Sequence, residues 1–197
     1  NSVSSIKVAK GNKMYDSRNN CNAIIRTKDN ILIASCMNTK LPDTVVGWEY
    51  AFSRREDIKE YIVPKSIVTI GNSSFSGCKQ LKNIVLHDAL AEIGERAFEF
   101  CGLETITLPS SITYIGHRAF MDCRELETVI LSDSLREIEE YAFFGCTALE
   151  ELAIPNSVTS IGENAFKDCK SLKRIIVKNA ALLENTGVSS NVKIIKP

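Results

Sequence analysis

Apolar residues return along this chain every 22 or 23 residues. Phe75, Phe98, Phe120, Phe143 and Phe166 step through the sequence in this way, and Cys78, Cys101, Cys123, Cys146 and Cys169 follow three residues behind them. A fixed period of this length marks a solenoid, in which each repeat is one coil burying its apolar face against its neighbours. Each coil divides into three segments. The first carries apolar residues at its first, fourth and sixth places, as in Leu81, Ile84 and Leu86 or Leu126, Val129 and Leu131. The same set recurs from Leu103, Leu149 and Leu172, and Ile58, Tyr61 and Val63 stand ahead of it. The fourth and sixth places point inward and the fifth outward, which is the alternation of a strand. Stacked coils are therefore expected to pair these strands into a parallel sheet.

The second segment follows a turn marked in three coils by Pro64, Pro109 and Pro155. It carries two apolar residues three apart and then glycine, as in Ile67 and Ile70-Gly71, Ile112 and Ile115-Gly116, or Val158 and Ile161-Gly162. Leu90 and Ile93-Gly94 fit as well, whereas Leu135 and Ile138 are followed by Glu139. The glycine is expected to supply a backbone angle that other residues resist. The third segment is Ala-Phe, or Ser74-Phe75, followed after two residues by cysteine in most coils. About five residues hold a single helical or 3₁₀ turn and no longer helix. The phenylalanines are expected to stack into a spine behind the sheet.

The pattern weakens toward both ends. Ala51-Phe52 keeps the spacing with Arg55 in the cysteine place. Residues 3–8 and 36–41 read as strands of the same type, giving roughly eight strand-bearing coils. Between them lies an insertion in which residues 23–27 and 31–35 read as a hairpin turning at Lys28-Asp29-Asn30. Residues 180–197 lose the period, and residues 192–195 read as a final strand closing the open edge. The expected organisation is one solenoid over residues 1–197. It has an N-terminal coil with its inserted hairpin at 1–40, regular repeats at 41–178 and a cap at 179–197.

Composition narrows the chemistry. Acids and bases balance at 24 each, so charge makes no case for nucleic acid or an acidic membrane surface. No apolar run approaches the roughly 18 residues that span a bilayer. No signal peptide begins at Asn1, so any export signal has been removed or was never included. The seven cysteines contain no Cys-x-x-Cys pair and no nearby histidine, so they lack the clustered spacing of a zinc site. The five at one repeat place read as small buried hydrophobes. Stacking brings them within disulfide range, but with side chains running parallel. Cys21 and Cys36 flank the hairpin and are the best disulfide candidates. An odd count leaves at least one thiol free, so the cysteines leave the redox compartment open.

The fuller unit Leu-x-x-Ile-x-Leu-Pro-x-Ser-Ile-x-x-Ile-Gly-x-x-Ala-Phe-x-x-Cys closely resembles the BspA-like (Treponema pallidum type) leucine-rich repeat family. Residues 103–123 match it nearly throughout, with Leu103 one residue early. The stretch from Tyr15 to Ile25 resembles an insertion common in such proteins from gut anaerobes of the Bacteroides kind. The resemblance covers roughly residues 3–178. It implies a right-handed, mainly β leucine-rich-repeat solenoid with short helical or 3₁₀ turns and parallel strands on the concave face. It also implies a secreted or surface-anchored bacterial protein, adhesin-like, that recognises host extracellular matrix proteins or another bacterial surface. It implies no enzyme activity and no cofactor, and it carries no shared set of ligand-contacting residues.

On the exposed strand face the fifth places form a column of Lys7, Lys40, Ile62, Val85, Thr107, Ile130, Ala153 and Ile176. Lys82, Glu104, Glu127, Glu150, Lys173 and Arg174 flank it, acidic in the middle and basic toward both ends. Such a strip suits protein docking, with apolar contacts for affinity and charge for steering. Exposed sheets favour β-branched residues in any case, so sheet chemistry alone is the competing reading. Glu104, Glu127 and Glu150 stack at coil spacing, but a straight row of three carboxylates does not wrap a calcium ion. His87 and His117 have no nucleophile and carboxylate at recognisable spacing. Trp48 falls near the Ala-Phe turn, where other coils carry variable residues, and reads as packing. A structural spacer and a glycan-capture module are the alternatives to protein recognition. Aromatics exposed on the sheet columns would favour glycans, and the columns contain none. The partner and the oligomeric state are not legible in the sequence.

Overall fold

The computed structural model describes residues 4–36 and 39–197. Val3 of the expected strand at 3–8, and Met37 and Asn38 of the expected strand at 36–41, lie outside the described residues. The chain opens with β1 (Tyr15–Asp16), β2 (Ala23–Arg26), β3 (Ile31–Ser35) and β4 (Gly47–Trp48). Strands from the first and second segments then alternate: β5 (Glu60–Ile62), β6 (Thr69–Ile70), β7 (Asn83–Val85), β8 (Glu92–Ile93), β9 (Thr105–Thr107) and β10 (Tyr114–Ile115). The alternation continues with β11 (Thr128–Ile130), β12 (Glu137–Ile138), β13 (Glu151–Ala153), β14 (Ser160–Ile161) and β15 (Arg174–Ile176), and β16 (Lys193–Ile195) ends the chain. The result is a mainly β solenoid of about six turns.

Successive turns superpose in strict register. In the first segments Ile62 lies opposite Val85, Thr107 opposite Ile130, and Ala153 opposite Ile176, all parallel. These pairings form three short sheets instead of one continuous sheet. The continuous ladder runs through the second segments, where β4, β6, β8, β10, β12 and β14 pair in order behind the β1-β2-β3 meander. Two-residue strands carry too little alternation to be read from sequence, which is why this wall escaped the pattern.

The phenylalanine rings form a single file. Phe52 stacks on Phe75 at 4.9 Å between centroids, and the file continues through Phe98, Phe120, Phe143 and Phe166 at 5.5, 5.3, 5.1 and 6.0 Å. These steps match the roughly 4.8 Å separation of paired strands, so the backbone repeat sets the ring spacing. Offset aromatic stacking adds about 0.5–1.5 kcal/mol per pair beyond burial. All five rings from Phe75 to Phe166 are fully buried.

Each repeat cysteine holds one coil to the previous one. The thiols of Cys78, Cys101, Cys123, Cys146 and Cys169 donate to the carbonyls of Phe52, Phe75, Phe98, Phe120 and Phe143 at 2.9–3.2 Å. A small apolar side chain with one weak donor fits a buried site that presents a carbonyl. In the first coil Arg55 takes this place and reaches back to Ser35 Oγ at 3.2 Å. All seven cysteines are free thiols and buried, Cys21 and Cys36 included. Cys36 Sγ instead donates to Asn22 O at 3.2 Å.

The Ala-Phe segments are successions of tight turns that never propagate into a helix. Ser74 and Ser76 N–H close turns onto Gly71 and Ser73 carbonyls, while the alternate N–H groups of Ser73, Phe75 and Gly77 donate to Glu95, Ala97 and Glu99 of the next coil. Residues at two places per coil, including Arg96 and Phe100, Arg118 and Asp122, or Tyr141 and Gly145, are left-handed with φ between 52° and 71°. The cross-coil bonds hold this backbone against the ordinary preference of Arg, Tyr and Phe. A 3₁₀ turn occurs in the cap at Ala180–Leu183, where Asn179 Oδ1 accepts from Ala181 N–H.

Three expectations change. The glycines after the second segment are not left-handed. They are small because the coils touch: a Cβ on Gly116 would lie 2.8 Å from the carbonyl carbon of Gly94, and one on Gly71 would strike the Trp48 carbonyl. Trp48 is not at a variable place, because it pairs in register with Ile70. It is fully buried, with its ring edge-on to Phe52, Phe75 and Tyr61. Finally, the strands expected at residues 3–8 and 36–41 are absent among the described residues of those stretches, leaving six first-segment strands, β5 to β15, before the cap. Ile6 and Val8 N–H donate to the side chains of Asn22 and Ser17 instead of to a neighbouring strand. The hairpin is formed by β2 and β3 as expected, with a bulge at Ile24/Ile25, and residues 193–195 pair parallel to β15.

Candidate functional site

The strand geometry displays the fifth-place column on one outer wall. Buried fourth and sixth places anchor each strand, so the fifth is turned to solvent. Ile62 is 74 %, Val85 49 % and Ile130 54 % exposed. Thr107 and Ala153 are also exposed, and Ile176 is half-buried. The register adds Ile195, opposite Ile176, to the same column. Sequence reasoning missed it because it follows Ile176 by 19 residues, outside the period.

The flanking charges do not lie as separate acidic and basic zones. Lys82 Nζ bonds Glu104 at 3.2 Å and also reaches Glu125, so one lysine gathers carboxylates from the start and the end of the next coil. Both acids raise the Lys82 pKa. Lys173 Nζ bonds Glu150 at 2.9 Å, and Arg174 bonds Glu151. The basic ends thus fold onto the acidic middle by one-coil steps, and Glu127 alone of the Glu104, Glu127 and Glu150 row makes no ion pair among the described residues. Such exposed pairs contribute about 0–1 kcal/mol each. They fix charge positions more than stability.

The strand pairing is interrupted between β11 and β13. A groove of about 710 Å³ opens there, lined by Glu127, Thr128, Glu150, Glu151, Ala153 and Ser171 among others. Ala153 makes a notch in the column between the larger Ile130 and Ile176. The column positions Lys7 and Lys40 fall in stretches without strand structure, so they do not join the wall.

The two histidines serve the fold. Ala89 N–H donates to His87 Nδ1, so the His87 Nε2–H donates to Pro64 O at 2.9 Å. His117 packs edge-on against Tyr141. The exposed aromatics Tyr50 and Phe100 lie in the turn segments and not in the strand column. No helix among the described residues is long and apolar enough to cross a membrane.

The architecture has close counterparts. A leucine-rich repeat protein from Bacteroides ovatus superposes with a TM-score of 0.52 at 27% identity over 79% of this chain. That match takes up 50% of the Bacteroides protein, so the chain spans about half of that relative's length. The leucine rich repeat protein of T. pallidum superposes with a TM-score of 0.51 at 24% identity, covering 97% of this chain and 82% of its own. No curated protein matches the sequence. Six copies of the BspA type leucine rich repeat region match residues 48–195, the span that builds the phenylalanine file, the thiol ladder and the exposed strand wall. With about three quarters of its length accounted for by that repeat, the chain belongs to the BspA type leucine rich repeat family.

Proposed function

We propose that this chain is a non-catalytic protein-recognition module of a bacterial surface or secreted protein. It docks its partner, a host extracellular matrix protein or another bacterial surface, along the strand wall. The observation that carries this reading is the column Ile62, Val85, Thr107, Ile130, Ala153 and Ile176, held outward by register and bordered by Lys82, Glu104, Glu127, Glu150, Lys173 and Arg174. Exposed apolar side chains ringed by charge give an interface its core and rim. Family membership supports protein binding as the general role, since solenoid walls of this kind are extended binding surfaces. The absence of aromatics from the strand column favours protein over glycan as the partner. All seven thiols are buried, and buried thiols resist oxidation, so the free cysteines are compatible with an extracellular setting.

The test is a binding isotherm against a panel of immobilised host matrix proteins and bacterial cells. Val85→Glu and Ile130→Glu are each expected to weaken the interaction at least tenfold with unchanged melting. Retention of full affinity by both variants removes the wall as the site.

A further inference from the structure

The groove between β11 and β13 brings apolar, charged and backbone groups of the wall together around one volume. The two strands belong to successive coils, yet no backbone hydrogen bond joins residues 127–130 to residues 150–153. On either side the equivalent bonds are made. Leu108 N–H donates to Ile130 O at 2.9 Å and Glu127 N–H to Glu104 O at 2.9 Å. Ile154 N–H donates to Ile176 O at 2.8 Å and Lys173 N–H to Glu150 O at 2.9 Å. By the same repeat, Glu127 O would receive Glu150 N–H and Ala153 O would receive Leu131 N–H. Neither bond forms, so two carbonyls and two N–H groups stay without a cross-strand partner.

The side chains decide what fits. The groove is lined by Glu127, Glu150 and Glu151, with Ala153 at its apolar edge. Glu104, Glu125, Glu127, Glu150 and Glu151 outnumber Lys82, Lys173 and Arg174 by two on this part of the wall. The pairs that Glu150 and Glu151 make are exposed and exchange readily, and Glu127 has no cation to give up. The volume, about 710 Å³, lies within the roughly 300–1,000 Å³ of ligand-sized clefts.

We propose that this groove is the specificity pocket of the docking wall and takes an arginine side chain presented by an extended segment of the partner protein. The inference rests on the strand wall being the docking face. The aliphatic stem lies over Ala153 between Ile130 and Ile176, as long cationic side chains cover apolar surface. The guanidinium donates to the Glu127 carboxylate, to Glu127 O and to Glu150. Arginine suits this better than lysine because its planar fork presents five donors in fixed directions to several acceptors at once.

The experiment uses the whole chain and a fluorescein-labelled peptide, acetyl-Val-Arg-Val-Arg-Val-Arg-Val-amide, with lysine and glutamate versions as controls. The arginine peptide is expected to bind at least tenfold tighter than the glutamate peptide and measurably tighter than the lysine peptide. Glu127→Gln and Ala153→Leu are each expected to weaken it at least fivefold with melting unchanged. Amide shifts on binding are expected at residues 127–131 and 150–153. Affinity indifferent to both substitutions, or shifts clustered elsewhere, overturns the pocket. Val85→Glu separates this inference from the reading beneath it. If it abolishes binding of a matrix or cell-surface partner while Glu127→Gln and Ala153→Leu leave partner and peptide unaffected, the pocket fails and the docking wall stands. If the groove variants lose the peptide while Val85→Glu leaves partner binding intact, the wall reading fails instead.

Discussion

Raising the pH tests the thiol ladder directly. Burial pushes the thiols of Cys101, Cys123, Cys146 and Cys169 up, Cys123 and Cys169 to about 12. Each also donates its proton to a phenylalanine carbonyl, a bond that a thiolate cannot make and would replace with repulsion. In the unfolded chain a cysteine ionises near pH ~8.5. The folded state therefore keeps a proton that the unfolded state loses, and stability falls as the pH rises. The contribution is whole below about pH 8.5 and is lost progressively as the pH rises toward the folded values, about 12 for Cys123 and Cys169. Each thiol removes about 1.4 kcal/mol per pH unit within that window, so four remove roughly 5 kcal/mol per unit. Total stabilities of about 5–15 kcal/mol leave little reserve by pH ~10. Tyr61 and Tyr114, pushed up to about 12 by burial, add the same sign above their ordinary range. The assay is urea unfolding at pH 7, 8, 9 and 10, with thiolate absorbance of the folded protein read in parallel. Cys123→Ala is expected to cost about 1–2 kcal/mol at pH 7 but to make the alkaline slope shallower by about 1.4 kcal/mol per unit. Cys78 behaves differently, because the Cys101 thiol beside it lowers its pKa, so one equivalent of thiolate is expected early. Further equivalents appearing in the folded protein near pH ~8.5, with flat stability to pH 10, refute the ladder as described.

Two further perturbations address the stacking. Phe120→Ala should cost about 3–5 kcal/mol and lower Tm by about 2–4 °C per kcal/mol. A double-mutant cycle should couple Phe98 with Phe120 by about 0.5–1.5 kcal/mol and leave Phe52 with Phe166 additive within ~0.5 kcal/mol. Gly162→Ala should cost about 1–3 kcal/mol in urea denaturation, because its new Cβ meets backbone atoms of Glu139 and Glu140 in the previous coil. An unchanged midpoint would show that the coils separate more easily than their contacts imply.

The repeat was legible wherever a buried side chain had to recur in kind. The phenylalanine file and the cysteine place follow from side chains meeting identical neighbours one coil away, and the outward fifth-place column follows from the strand alternation between buried places. What stayed hidden belongs to the backbone. Arg96, Phe100 and Tyr141 are left-handed because the next coil's carbonyls claim their N–H groups, and nothing in those residue types announces it. The glycines looked like conformational devices and proved to be contact points between coils. Trp48 fills the place of Ile70, but its size and the Glu49 behind it disguised the equivalence. At the N-terminus, Ile6 and Val8 mimic a strand in sequence, while Asn22 and Ser17 side chains capture their N–H groups. The candidate site was half visible: spacing places its residues on one wall, but the ion pairs and the β11/β13 opening depend on which neighbouring coils close their ladders.

The proposed function places recognition on the first-segment wall and not merely on any exposed apolar residue. Val68, 46 % exposed, lies in the second segment on the adjoining wall and serves as the control. Partner affinity measured for Ile130→Glu beside Val68→Glu decides the matter. At least tenfold loss for Ile130→Glu, with Val68→Glu matching the unaltered protein, is the predicted result. Equal losses, or a loss confined to Val68→Glu, would contradict it.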